Sequence, residues 1–375
     1  MQRRRGIRKS RLRTPVPAAG LAGLLLLAGC GGESDESGDV ASARPVADID
    51  CARAGQVRGS GSTAQQNAMN YWIREYQRAC SPVQVAYNPL GSGAGVAQFM
   101  RGATAFGGTD TPVDPVEDRP AEGVCPGGQV INLPVVGGPI ALGYNIPGVE
   151  DLVLDASAIA KIFDSRITTW DDPVIQELNP GAELPPLDIR AVHRSDTSGT
   201  TQNFQAYLTG AAPEVWPYPA EKAWHGRGGD SADGSDNVAS TVSSADGSIG
   251  YFELSFAERL NMETVRVDTG ASEPVAATTQ TASAGIAAAQ VVGKGKDLTL
   301  RFDYRTSAEE TYPIVLASYE IVCDRGNAAE TLPALKSFLA YTTSAEGQEP
   351  LARIHYAPLP QSVTNEVRKV ISALS

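Results

Sequence analysis

Three times along this chain, a cluster of Gly with Ser or Thr falls where an extended stretch gives way to an amphipathic helix. That repeated junction constrains the fold more than any other feature. The clusters read Gly59-Ser60-Gly61-Ser62-Thr63-Ala64, Gly91-Ser92-Gly93-Ala94-Gly95 and Arg194-Ser195-Asp196-Thr197-Ser198-Gly199-Thr200. Behind the first, residues 62–79 place Ala64, Ala68, Tyr71, Trp72 and Tyr76 on one helical face. Behind the second, residues 92–101 carry Val96, Phe99 and Met100 before Gly102. Behind the third, residues 198–209 carry Phe204, Tyr207 and Leu208 before Gly210. Residues 282–292, rich in Ala, and residues 332–342 predict two more helices. Strands are predicted at 83–87, 130–136, 140–144, 188–192, 250–252 and 319–322. Strands alternating with helices predict an α/β fold. Residues 211–237, rich in Pro, Gly and Asp, read as a long surface excursion, and residues 267–281 as a Thr/Ala-rich loop. No internal repeat is visible.

The chemistry of the junctions follows from helix termini. The first N–H groups of a helix have no intrahelical acceptor, and the helix dipole makes that end partly positive. Gly permits close backbone approach, and hydroxyls add rotatable donors. One such start is an N-cap; three that converge form a cage of neutral donors around a small tetrahedral oxyanion. Arg194 would add a bidentate fork and a full charge, oriented by Asp196. A fourth element, Gly107-Gly108-Thr109-Asp110-Thr111-Pro112, puts a carboxylate at a strand-to-loop junction. A carboxylate only accepts hydrogen bonds, so it repels a fully deprotonated oxyanion and tolerates one that still carries a proton. Phosphate near neutral pH has that proton and sulfate lacks it, which makes Asp110 a candidate for discrimination between the two.

The chain's 375 residues hold 31 Lys and Arg against 43 Asp and Glu, a formal net charge of −12. No broad basic footprint exists, so nucleic-acid binding is excluded as a default. Residues 1–29 contain Arg3, Arg4, Arg5, Arg8, Lys9, Arg11 and Arg13 with no acid, then an apolar run from Leu21 to Ala28. The run is too short to span a bilayer and has the layout of a secretory signal. It ends Leu27-Ala28-Gly29-Cys30, which resembles a bacterial lipobox, with Cys30 as the lipid-bearing first residue after cleavage. Removing residues 1–29 leaves 24 basic against 43 acidic residues, a net charge of about −19. Charges beyond about 8 Å are screened at physiological ionic strength, so this field need not prevent anion capture in a cleft. Residues 30–50, rich in Gly, Ser and acid, read as a flexible tether, whose reach for about 20 residues is roughly 25 Å. These features predict a location on the outer face of the cytoplasmic membrane, on the periplasmic or cell-wall side, with more than one acyl chain needed for stable anchoring.

Four cysteines remain, Cys51, Cys80, Cys125 and Cys323, an even number that suggests two disulfides in an exported chain. Three pairings are open. Cys51 precedes the first candidate strand and Cys80 follows the first candidate helix, at the same edge of a βαβ unit, which favours Cys51–Cys80 with Cys125–Cys323. There is no C-x-x-C pair and no clustered ligand set, so neither a metal nor a cofactor is predicted.

With these residues in view, the chain resembles the PstS family, the phosphate-binding lipoproteins of bacterial phosphate ABC importers. Its four motifs occur in the family's order: a Gly-rich start ending in Thr63, then G-S-x-x-G from Gly91, then Asp110 before a proline turn, then R-x-D-x-S-G-T from Arg194. Further similarity runs through 145–148 (NIPG), 161–173, 178–181 and 247–253. The resemblance implies a ligand set of Thr63, Ala64 through its backbone N–H, Ser92, Asp110, Arg194, Ser198, Gly199 and Thr200, with Asp196 behind Arg194. It also implies a two-lobed periplasmic-binding-protein fold of type II with the ligand in the interlobe cleft. Residues 51–137 and 308–375 would form lobe one and residues 138–307 lobe two. Two crossover strands would act as a hinge, and phosphate would favour a closed form read by the membrane permease. The expected partners are inorganic phosphate, that permease, and the membrane through a lipid anchor; the expected state is a monomer. The chain departs from the family pattern at Ala64, which replaces a bulkier residue, at His193 before Arg194, and in 211–237.

Other readings remain open at this point. One is a binding protein for another oxyanion or a phosphorylated solute, and another is an accessory receptor or adhesin on the same fold. An exported hydrolase could use Ser62, Ser92 or Ser198 with His193 as base, but no G-x-S-x-G elbow is present, and no enzymatic activity is predicted. Gly293-Lys294-Gly295-Lys296 does not satisfy the P-loop pattern.

Overall fold

A computed structural model of the chain describes residues 49–114 and 121–375. The signal segment, Cys30 and the tether up to residue 48 lie outside the described residues. In chain order the elements are β1 (Gly55–Gly61), α1 (Gln66–Ala79), β2 (Val83–Pro89), α2 (Ser92–Met100), β3 (Phe106–Thr109), α3 (Ala121–Val124) and β4 (Val130–Asn145). Then follow β5 (Val153–Asp155), α4 (Ala156–Phe163), α5 (Pro173–Leu178), β6 (Arg190–Arg194), α6 (Gly199–Ala211), β7 (Asp230–Ala232), α7 (Gly234–Ser244), β8 (Ser248–Glu253) and α8 (Leu254–Arg259). The rest are β9 (Arg266–Asp268), α9 (Thr279–Ala287), β10 (Gln290–Val291), β11 (Leu300–Arg301), β12 (Val315–Cys323), α10 (Leu332–Thr342), α11 (Ala345–Gln348), a 3₁₀ turn Glu349–Ile354, and α12 (Gln361–Ser372).

Eight strands form one sheet in the order β2-β1-β3-β12-β4-β8-β6-β7. β1 runs parallel to β2 and β3, and β6 parallel to β7 and β8. Each parallel group carries helices on its faces, as crossover connections require. The long strand β4 joins the two groups. It pairs antiparallel with β12 up to Pro139 and with β8 from Ile140 onward. The apolar side chains gather in two main bodies: one around Val57, Trp72, Tyr76, Phe106, Leu133 and Phe338, the other around Leu142, Phe163, Trp170, Phe204, Trp216 and Tyr251. Full burial of one such side chain contributes about 1.5–3 kcal/mol. The fold is α/β and two-lobed. Leu298 packs with the first body, and its N–H donates to Asn132 O at 3.0 Å.

Cys51 is bonded to Cys80 and Cys125 to Cys323, the favoured pairing. The first ties the entry segment to the end of α1. The second ties the end of β12 to the residue after α3.

Several element predictions are corrected. The strands at 130–136 and 140–144 are one strand, because Gly137-Gly138-Pro139 marks the exchange of partners and not a break. Gly137 exchanges both backbone hydrogen bonds with Ala357, at 3.0 and 2.9 Å, so the crossover stays paired. The strand predicted from 188 begins at Arg190, since Asp188 bridges to Thr169 instead. The helix predicted over 282–292 starts earlier, at a Thr278–Thr281 capping box, and stops at Ala287 because Gln290 and Val291 pair with β11. Residues 211–237 are not a plain excursion. Trp216 is buried, Trp224 stacks on Phe204 and His193, and the segment ends in β7 and the first turn of α7. The 267–281 loop likewise includes part of β9 and buries Val275 and Ala277.

Candidate functional site

Five segments meet where β4 changes partner: the turn after β1, the start of α2, the end of β3, the β6–α6 connection, and the start of α7. Two of their closest approaches explain two glycines. A Cβ on Gly199 would sit 2.7 Å from Ser92 Oγ and 2.9 Å from Asp110 N. A Cβ on Gly91, whose φ is +90°, would sit 2.2 Å from Asp196 Oδ2. The backbone of Gly93 donates to Thr197 O at 2.9 Å. The β1–β3 motifs and the β6–α7 motifs therefore face one another in contact.

Arg194 is 2 % exposed although it carries a full charge. Its Nε donates to Asp196 Oδ1 at 2.6 Å and its Nη2 to Asp196 Oδ2 at 2.5 Å. Its Nη1 donates to Ser235 Oγ at 3.2 Å. A guanidinium has five N–H groups, so one on each terminal nitrogen is left unassigned, in the fork geometry that suits an oxyanion. Burial works to raise the Asp196 carboxyl, but the Arg194 contacts outweigh it and hold it below its ordinary range. The backbone of Gly234 also donates to Asp196 Oδ1. Beneath this pair Tyr251 takes the Arg194 N–H at 3.2 Å, and burial pushes its phenol up to about 12, so it remains protonated.

Asp110 is 2 % exposed and its carboxylate is already solvated by protein. Ser318 Oγ donates to Oδ1 at 2.7 Å and Thr200 Oγ1 to Oδ2 at 2.9 Å. A carboxylate offers about four lone-pair sites, so it retains acceptor capacity for a protonated ligand oxygen.

Counting hydroxyl protons assigns roles to the rest. Thr200 spends its proton on Asp110, so only its backbone N–H is available to an anion. Ser198 Oγ accepts from Thr201 N at 3.2 Å as the N-cap of α6, which leaves its proton to donate. Ser92 Oγ accepts from Asp110 N at 3.3 Å and keeps its proton too. Thr63 Oγ1 accepts from Ser235 N at 3.1 Å and shares one hydrogen bond of 2.9 Å with Ser235 Oγ, so this pair retains one proton between them. Ala64 differs from expectation. Its N–H donates to Ser62 Oγ at 3.0 Å, and the residue is fully buried with its carbonyl bound by Tyr356.

Four contributors escaped the sequence reading. Ser235 had a signal, because Asp233-Gly234-Ser235 is a fourth helix start of the same kind, hidden in the supposed excursion. Asn203, one helical turn past Gly199, donates to Asp110 O at 2.7 Å. Ser318 and Tyr251 had no signal, since their contacts depend on the register of β12 against β3 and on the packing under β6.

The three histidines are engaged elsewhere. His193 Nδ1 lies 3.0 Å from Arg194 O with its ring stacked on Trp224, and burial holds its pKa below the ordinary value. His225 meets Glu221, and His355 lies near Glu258. Among the described residues no group of His, Cys, Asp and Glu could hold a metal ion, and no helix is long and apolar enough to cross a membrane.

A cleft between two α/β bodies, closed by hydrogen-bond donors from both walls, defines the class of periplasmic binding proteins, and a family profile described as a PBP superfamily domain matches residues 47–346. The phosphate-binding protein PstS 2 of Mycobacterium tuberculosis is 41% identical over 360 residues, spanning 94% of this chain and 96% of that protein. Phosphate-binding protein PstS of Methanocaldococcus jannaschii is 30% identical over 338 residues, 84% of each chain. This chain belongs to the PstS family of phosphate-binding proteins. Its fold matches a putative phosphate ABC transporter substrate-binding protein of Clostridium perfringens, solved with bound phosphate, with a TM-score of 0.60 at 22% identity over 82% of this chain and all of that one. Members of the family are solute-binding proteins rather than enzymes and work outside the cytoplasm.

Proposed function

We propose that this chain captures inorganic phosphate in its cleft and delivers it to the permease of a phosphate ABC importer while held to the membrane by lipid on Cys30. The observation that carries the reading is the donor count. Arg194 has two unassigned N–H groups, Ser92 and Ser198 have unspent hydroxyl protons, the Thr63–Ser235 pair retains one, and the N–H groups opening α6 lie beside them. One partly solvated acceptor, Asp110, stands among these donors. Hydrogen phosphate matches that set, with several oxygens to accept and one proton to give. Thr63, Ser92, Asp110, Arg194, Ser198, Gly199 and Thr200 are its contacts in this reading, with Asp196 orienting Arg194. Ala64 is kept only as a backbone neighbour. Residues 51–137 with 308–375 supply most of one lobe and 138–307 most of the other, with Leu298 packing on the first body and Tyr312 and Leu316 on the second, and the closed arrangement is what the permease reads.

Calorimetry with phosphate, sulfate and a phosphomonoester tests the ligand. Phosphate alone should bind tightly, and Asp110→Asn should admit sulfate; equal affinity of the unaltered protein for sulfate would defeat the role of Asp110. Membrane fractionation of Cys30→Ser tests the anchor. The variant should move to the soluble fraction, and retention on membranes would reject lipidation at that residue.

A further inference from the structure

The floor beneath Thr63 contains a carboxyl group that the donor count does not use. Glu320 on β12 is fully buried, and neither of its carboxyl oxygens has a hydrogen-bond partner among the described residues. The polar side chain beside it is Gln65, whose Oε1 is also buried and also lacks a partner. The orientation of that amide is set from its other end. Tyr87 OH donates to Ser62 O at 2.9 Å, so it must accept from Gln65 Nε2, also at 2.9 Å, which leaves Oε1 as an unmatched acceptor. An ionised Glu320 would be a second set of acceptors in the same dry space. It would be an unpaired charge near Asp110, at a cost that proteins avoid by neutralising the group.

We propose that Glu320 is a neutral carboxylic acid whose proton is donated to Gln65 Oε1, and that through Gln65 and Tyr87 it positions the Ser62–Thr63 turn for anion binding. This rests on the phosphate-binding reading above. One proton satisfies both orphaned groups and completes a chain from the sheet floor to the turn: Glu320, Gln65, Tyr87, Ser62. The turn's other tether is Ser62 N donating to Gly108 O at 2.9 Å. Gly108 lies opposite Glu320 in the β3–β12 register, and a Cβ there would collide with Gln65 Nε2 and Tyr87 OH, so the bare glycine makes room for the chain. The titratable groups bearing on Glu320 are Tyr87 from β2 and Asp110 beyond β3. Tyr87 stays a neutral phenol, whereas the charge of Asp110 opposes ionisation of Glu320; burial, outweighing the contact with Gln65 that favours the charged form, pushes its pKa well above the usual carboxyl value. Loss of the proton at alkaline pH removes the donor to Gln65 and adds a negative charge under an anion site, so phosphate affinity falls as pH rises.

Glu320→Gln keeps a donor toward Gln65 Oε1 that cannot be lost, and Glu320→Leu removes it. With phosphate as the probe, Glu320→Gln should bind within about twofold of the unaltered protein at neutral pH. Glu320→Leu should be about tenfold weaker, the usual effect of stranding a buried acceptor. At alkaline pH the unaltered protein should weaken relative to Glu320→Gln, a ratio that cancels the titration of phosphate itself. Infrared difference spectra at neutral pH should show a protonated-carboxyl stretch that Glu320→Gln abolishes. Without ligand, hydrogen exchange over residues 60–68 should be faster in Glu320→Leu than in Glu320→Gln. Absence of the infrared band, or Glu320→Leu matching the unaltered protein in exchange, overturns the proposal. Because these two readouts need no phosphate, a protein that binds none would sink the function while still judging Glu320.

Discussion

The two walls of the cleft solve one problem by different means. The wall built on β1, α2 and β3 brings no cation to the site, since Arg58 of β1 is exposed. It offers Thr63, Ser92 and backbone N–H groups, and the charged group it does bring there, Asp110, is a buried acceptor bound by two hydroxyls. The wall built on β6, α6 and α7 carries the buried charge of Arg194, but Asp196 neutralises it at hydrogen-bond distance. With Asp110 included, these three groups sum to a negative charge before any anion arrives. An anion site of this kind works by direction and desolvation of donors, and the guanidinium matters for where its N–H groups point as much as for its charge.

The largest test of that contrast is Arg194→Ala, which should reduce phosphate affinity by about 2–5 kcal/mol, read by calorimetry, because a buried charge-assisted contact to the anion is lost and the Asp196 charge is no longer balanced. A near-neutral result would move the anchor to the uncharged wall. Gly199→Ala comes next. Its Cβ would meet Ser92 and Asp110 across the cleft, so closure should be opposed by about 1–3 kcal/mol, visible as weaker binding and a larger radius of gyration with phosphate present. If scattering stays unchanged, the walls do not meet at that point in solution. Ser235→Ala breaks the bridge from Thr63 to Arg194 and should cost about 1 kcal/mol of affinity, most of it recovered in Ser235→Thr. The smallest effect concerns acid. Asp196 is held below its ordinary 3.8, so its contribution to stability is present above that value and is lost only as pH falls below it. The difference in thermal midpoint between the unaltered protein and Asp196→Asn should therefore be flat down to about pH 3.8 and shrink beyond it. A difference that fades at higher pH would mean the pair is looser than its geometry.

Much of this site was legible in the sequence because its parts are local. Gly91, Ser92, Ser198 and Gly199 advertise helix starts within a few residues, and Arg194 and Asp196 are two apart, so strand geometry and a short turn suffice to pair them. Helix 332–342 was read to its ends for the same reason, with Pro333 near its start and an unbroken apolar period. The reading failed where a residue's role is set by a distant neighbour. Gly137-Gly138-Pro139 looked like a strand break until β12 and β8 were seen to share β4. Residues 211–237 read as a surface excursion because the body that Trp216 and Trp224 help to fill is built from distant parts of the chain.

From the residues alone came the α/β pattern, the donors at helix starts and the lone acceptor among them, since each depends on backbone conformation within one or two turns of chain. Tertiary structure alone decided which protons are already spent: Thr200 on Asp110, Ala64 on Ser62, and Ser235 joined to Thr63 and Arg194. It also decided that Glu320, an ordinary acid in the sequence, lies in a dry space opposite another orphaned acceptor. Hydrogen bonds and desolvation depend on contacts between groups far apart in the chain, 208 residues in the case of Ser318 to Asp110, and no local pattern encodes such a meeting.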